Sequence, residues 1–132
     1  SDSAGVLFCH RLNIPVAFIT GEDTAIVSRR AEKLGIDYVF QGVNDKLSVG
    51  KEICRSLNIS LEEVAYIGDD LGDIELLKCV GFSCAPANAP DYIKSIVHFV
   101  TKKNGGEGAF REFVEHIINT NLLLDEILKF PY

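Results

Sequence analysis

The chain has 132 residues, about one ordinary domain, and its 47% apolar content excludes disorder or a collagen-like repeat. Nineteen acids against thirteen bases give a net charge of −6 with no basic cluster, which argues against a sequence-independent grip on nucleic acid or an anionic membrane. The longest uncharged run, 79–90, is broken by Pro86, Asn88 and Pro90 and falls far short of the roughly 20 apolar residues of a membrane span.

Short β-rich runs alternate with amphipathic ones. Residues 15–20 read as a buried strand, and 23–34 as a helix with Val27, Ala31 and Leu34 on one face and a stop at Gly35. A second strand is predicted at 38–41 and a second helix at 46–57, with Leu47, Ile53, Cys54 and Leu57 turned inward. Ser60-Leu61-Glu62-Glu63 fits the S-x-x-E capping box and opens a helical turn. Residues 64–67 read as a third strand, 73–80 as a helix ended by Gly81, 82–85 as a fourth strand and 96–100 as a fifth. After Gly105-Gly106-Glu107-Gly108, helix 109–118 carries an apolar stripe of Phe110, Phe113, Val114 and Ile117. Strands alternating with helices imply parallel pairing in an α/β, Rossmann-like three-layer fold, one domain over 1–132, with ligands beyond the carboxyl ends of the strands.

The cysteines at 9, 54, 79 and 84 form no C-x-x-C pair and have no histidine spaced for zinc, so they read as buried small hydrophobes in a reducing, cytoplasmic setting. The sequence contains no methionine and opens Ser1-Asp2-Ser3, and it is expected to begin inside a longer polypeptide.

The chemistry concentrates after the third strand, at Gly68-Asp69-Asp70-Leu71-Gly72-Asp73. Three carboxylates fall within five positions with no base between Glu63 and Lys78, and like charges this close repel unless protons, distant bases or a cation intervene. A hard divalent ion such as Mg²⁺ suits an all-oxygen set better than zinc does. Taken alone, the acids would serve equally as a cap for the following helix. Thr20-Gly21 ends the first strand, where a hydroxyl and a free backbone N–H suit a phosphoryl oxygen, though a helix cap before Glu22 and Asp23 is the plainer reading of that pair. Lys46 follows the second strand. It opens a helix, an unfavourable place for a cation that a local anion would explain. The ordered set of Thr20, Lys46 and the acids Asp69, Asp70 and Asp73 at three successive strand ends is stronger than any member, and it fits a phosphoryl group with its metal. Neither a P-loop nor a G-x-G-x-x-G fingerprint is present.

These residues resemble the haloacid dehalogenase-like phosphatase superfamily. Ile19-Thr20-Gly21, Asp45-Lys46 and Gly68-Asp69-Asp70-Leu71-Gly72-Asp73 match its second, third and fourth motifs. The runs from Gln41 to Leu47, Ala65 to Asp70 and Gly105 to Glu112 resemble its small, cap-less branch acting on 2-keto-3-deoxy sugar acid phosphates. The resemblance implies Mg²⁺ held by Asp69 and Asp73, catalytic roles for Lys46, Thr20 and Asp70, and substrate contacts from Thr20, Gly21, Glu22, Lys33 and Lys46. It places the first motif, D-x-D-G, on a strand followed by a β-hairpin about thirty residues upstream of the segment matching Ser1. Nucleophile and general acid both belong to that motif, and attack would give an aspartyl-phosphate. Glu22 with Lys33 points to the nine-carbon nononate 9-phosphate ahead of the eight-carbon octulosonate 8-phosphate, although both charges would also suit a solvated helix face. The resemblance further implies a homotetramer whose contacts close the site, with the glycine-rich segment before Arg111 lining a neighbour's site. The expected partner is thus a small sugar acid phosphate, not nucleic acid or membrane. A rival reading is a non-catalytic assembly module, as in nucleotide-sialic acid synthetases, and the retained Asp69-Asp70 pair favours the enzyme.

Overall fold

Each short apolar run forms a strand and each amphipathic run a helix, in the computed structural model, which describes residues 9, 10 and 12–120. In chain order these are β1 (Ala17–Ile19), α1 (Ala25–Leu34), β2 (Tyr38–Phe40), α2 (Lys46–Leu57), a 3₁₀ turn (Leu61–Glu63), β3 (Ala65–Ile67) and a second 3₁₀ turn (Leu71–Asp73). There follow α3 (Ile74–Cys79), β4 (Phe82–Ala85), α4 (Asp91–Lys94), β5 (Phe99–Val100) and α5 (Ala109–Thr120).

Local chemistry sets the boundaries. Helix α1 starts later than the apolar pattern suggests because Thr24, not the Thr20-Gly21 pair, caps it, accepting the Val27 N–H, and Gly35 ends it at φ 72°. In α2, Asp45 accepts the Ser48 N–H and Asn58 closes the helix in the left-handed region. The capping box at Ser60 forms, with Glu63 accepting the Ser60 N–H at 3.1 Å. The helix expected over 73–80 divides into the Leu71–Asp73 turn and α3, whose cap is Val80 and not Gly81. Helix α4 was not foreseen, and the strand expected over 96–100 pairs only from Phe99. Cys9, Cys54 and Cys84 are buried as expected, but Cys79 is exposed at the end of α3.

All pairings are parallel, yet the described strands form two groups, β1 with β2 and β3-β4-β5. One core cluster joins Cys9 and Val16 to Val114 and Ile118 of α5; the other joins Leu77, Ala85, Ala89 and Ile93, with Tyr66 against it. Between β1 and β3 runs a cavity of about 590 Å³, lined by all of both strands and by Ala31, Ala109 and Phe113. Parallel sheets normally bury both faces, so the 39% exposure of Phe18 marks this as an unusual place in the fold. Among the described residues no helix is long and apolar enough to cross a membrane.

Candidate active site

The carboxyl ends of β1, β2 and β3 each release the chain into a loop; the Val43 N–H bond to Thr20 O ties the first two together, and the Lys46–Asp73 bond ties the start of α2 to the third. Thr20 leaves β1 with its N–H bound to Phe40 O at 2.9 Å. The Thr20 Oγ1 accepts the Glu22 N–H at 3.1 Å, which leaves the hydroxyl proton free to donate. Thr20, Glu22, Lys46, Asp69, Asp70 and Asp73 all line the cavity.

Lys46 is not a solvated charge: it is 8% exposed, and its Nζ lies 2.8 Å from Asp73 Oδ1 and 3.7 Å from Asp70 Oδ1. Asp73 is 3% exposed and works as a hub. Its Oδ2 accepts the N–H groups of Asp69 (2.9 Å) and Asp70 (3.1 Å), and its Oδ1 accepts Lys46 Nζ and the Tyr66 hydroxyl (2.5 Å). A carboxylate offers about four acceptor positions, and all are taken. This packing requires Gly68, where a Cβ would stand 2.6 Å from Asp73 Cγ. Asp70 caps the Leu71–Asp73 turn by accepting the Gly72 N–H.

The electrostatics separate the acids. Burial works to raise the pKa of Asp73, but the bonds from Lys46, Tyr66 and the two amides outweigh it and hold the carboxyl below its ordinary value. Burial, then the Asp73 and Asp70 carboxylates, push Asp69 above the ordinary range, against a smaller pull from Lys46. Potential ligand oxygens of Asp69, Asp70 and Asp73 lie within 4.8 Å of one another. The three acids make a donor set that fits a hard cation; no described side chain donates to the Asp69 carboxylate, whereas Asp73, expected with Asp69 as a ligand, already has four donors.

Two of the expected substrate residues do not line the cavity. Gly21 sits in the exposed turn between Thr20 and Glu22. Lys33 is exposed in the last turn of α1, whereas Glu22 precedes the first turn, and a helix of this length separates its ends by about 13 Å. Arg111 pairs with Glu115 at 2.8 Å, while Gly105 and Gly106 border this chain's own cavity, Gly105 held through its N–H by Asn88 Oδ1. Sequence reasoning missed Tyr66, which it counted as an apolar strand residue; the available signal was a phenol in a strand beside an acidic turn, since a tyrosine hydroxyl taken out of water seeks a partner.

A family model described as haloacid dehalogenase-like hydrolase matches residues 22–113. The 3-deoxy-D-manno-octulosonate 8-phosphate phosphatase of Yersinia pestis is 39% identical over 117 residues, covering 89% of this chain and 63% of its own. The protein of the same name from Haemophilus influenzae is 36% identical, covering 89% and 65%. The crystal structure of the Moraxella catarrhalis 3-deoxy-D-manno-octulosonate 8-phosphate phosphatase, in complex with a magnesium ion, a phosphate ion and a KDO molecule, matches with a TM-score of 0.85 at 37% identity over 89% of this chain and 68% of that one. This chain therefore spans a little under two thirds of the length of these curated relatives.

Proposed function

Because this chain belongs to the haloacid dehalogenase-like hydrolase family, we propose that it supplies the phosphate- and metal-binding part of a Mg²⁺-dependent phosphatase acting on a 2-keto-3-deoxy sugar acid phosphate. The observation that carries this reading is the meeting of Thr20, Lys46 and the Asp69-Asp70-Asp73 turn around one cavity, beyond the carboxyl ends of β1, β2 and β3. The relatives named for the octulosonate phosphate move the preferred substrate from the nine-carbon to the eight-carbon acid. Lys33, at the far end of α1 from Glu22, gives the nine-carbon reading no further support, while Glu22 still lines the cavity.

Each residue has a task. The Thr20 hydroxyl donates to one phosphoryl oxygen. The Lys46 ammonium, steadied by Asp73, offsets charge that grows on the transferring group, and such preorganised charge is worth most where water is excluded. Asp69 and Asp70 would hold Mg²⁺, which when bound supplies charge neutralisation for the phosphoryl oxygens. Glu22, at the rim beside Thr20, is suited to sugar hydroxyls and not to phosphate, which it would repel.

The D-x-D strand expected upstream suits the gap between β1 and β3. A strand there would pair with both neighbours and end level with Thr20 and Asp69, bringing the nucleophile to the remaining groups. The test is phosphate release by the full-length protein from 3-deoxy-D-manno-octulosonate 8-phosphate and from 2-keto-3-deoxynononate 9-phosphate, with and without Mg²⁺. The expected outcome is Mg²⁺-dependent turnover with kcat/KM at least ~10-fold higher for the eight-carbon substrate, a difference of about 1.4 kcal/mol in transition-state binding. Reversed preference would return the substrate to the nine-carbon acid, equal preference would overturn the eight-carbon choice, and no turnover of either would favour the assembly module.

A further inference from the structure

Four donors converge on the Asp73 carboxylate, and three have a place in the proposed reaction: the Lys46 ammonium and the two amides that shape the acidic turn. The fourth is the Tyr66 hydroxyl, 2.5 Å from Oδ1. Tyr66 lies in the middle of β3, and its ring packs against the cluster of Leu77, Ala85, Ala89 and Ile93, so the phenol is fixed by the core and not by the loop it serves. Burial, then the Asp73 carboxylate, push its pKa up, so it stays protonated and donates at any working pH.

Oδ1 has two lone pairs and two donors, and the donors differ in stiffness. Lys46 reaches it on a four-carbon stem from the first turn of α2, while Tyr66 reaches it on a rigid ring from the sheet. The two bonds therefore fix different things: the phenol sets the rotamer of Asp73, and Asp73 so set defines where the ammonium rests. Without the hydroxyl, Oδ1 would keep the ammonium as its only described side-chain donor, and carboxylate and ammonium would be free to shift together.

We propose that Tyr66 is a positioning residue whose hydroxyl fixes the Asp73 carboxylate and through it the point at which the Lys46 ammonium meets the phosphoryl group. The inference rests on the phosphatase reading for its chemistry and on the hydrogen-bond hub for its geometry, and the two can be tested apart. Tyr66→Phe removes one oxygen and keeps the ring in its core. In the full-length protein, kcat is expected to fall ~10-fold, as expected for misplacement of a transition-state group by a fraction of an ångström, with KM and the Mg²⁺ titration midpoint each within about twofold of wild type. Activity within twofold of wild type would overturn the proposal, and so would a fall in kcat matched by an equal loss of Mg²⁺ affinity, because the hydroxyl would then be holding the acidic turn as a whole. The second measurement needs no activity. Urea midpoints of Tyr66→Phe, Lys46→Met and the double variant form a cycle in which coupling through Asp73 gives clearly non-additive shifts. Additive shifts would overturn the coupling, while non-additive shifts in a protein without phosphatase activity would leave the hub standing and remove the phosphatase reading instead.

Discussion

Asp69 and Asp73 sit four residues apart and bear opposite signs in the pH dependence of stability. Asp73 has a lower pKa folded than unfolded, so its contribution is fully present above the ordinary carboxylate value and is lost as pH falls through the folded one. Asp69 has a higher pKa folded than unfolded, so the native state binds its proton more tightly, and its contribution declines as pH rises from the ordinary value through the raised one. At pH 7, without metal, an ionised Asp69 therefore works against the fold. Asp69→Asn should raise Tm in EDTA at pH 7, should gain less at pH 4.5, and should lose the rise in Tm that Mg²⁺ gives the wild type. Calorimetry at the two pH values, with and without Mg²⁺, checks all three; an unchanged Mg²⁺ response would take Asp69 out of the metal site. The acids were legible as a crowd of like charges, but their division of labour was not, because it depends on Lys46 and Tyr66 arriving from other elements.

At the scale of elements, periodicity and capping located the strands and the longer helices, and the misreadings have identifiable causes. Residues 96–100 look like a strand throughout, but the His98 ring accepts the Ser83 N–H at 3.0 Å and the His98 N–H reaches both Ser83 O and Oγ, so a side-chain knot replaces the ladder until Phe99. Ile96 and Val97 meanwhile pack against the core beside Ile93. Gly81 was read as a helix stop, yet its purpose is tertiary: a Cβ there would lie 1.8 Å from Glu62 O, and the Gly81 N–H donates to Leu61 O at 3.0 Å. The Leu61–Glu63 turn thus lies directly against the chain entering β4, and β3 begins two residues later. Neither backbone segment can yield without disturbing the strand that carries the acids. Gly81→Ala is accordingly expected to cost about 2–4 kcal/mol by urea unfolding, at the level of severe overpacking. A cost below about 1 kcal/mol would mean that the turn moves aside freely.

At the scale of the whole molecule, the feature no local pattern foretold is the division of the strands into two parallel groups with a cavity between them. A sequence pattern reports which residues want a sheet, but neighbours are chosen by topology, and 132 residues that span under two thirds of their curated relatives need not contain every neighbour. Strand geometry says which backbone groups face the cavity. Thr20 N–H and Val16 C=O bond toward β2, and Gly68 N–H and Val64 C=O toward β4, so by alternation Ala17 and Ile19 of β1 and Ala65 and Ile67 of β3 present theirs to the gap. Hydrogen exchange can read these positions one by one. In the 132-residue chain alone, the amides of Ala17, Ile19, Ala65 and Ile67 should exchange much faster than those of Phe18, Thr20, Tyr66 and Gly68. In a full-length protein whose upstream strand fills the gap, the first four should slow by ~100-fold or more and approach the protection of the second four, since amides in a central strand open only with the larger cooperative unit. Slow exchange at all eight positions in the short chain would mean that β1 and β3 already have partners there. Fast exchange at the first four in both proteins would place the upstream segment elsewhere and leave the gap between β1 and β3 unfilled.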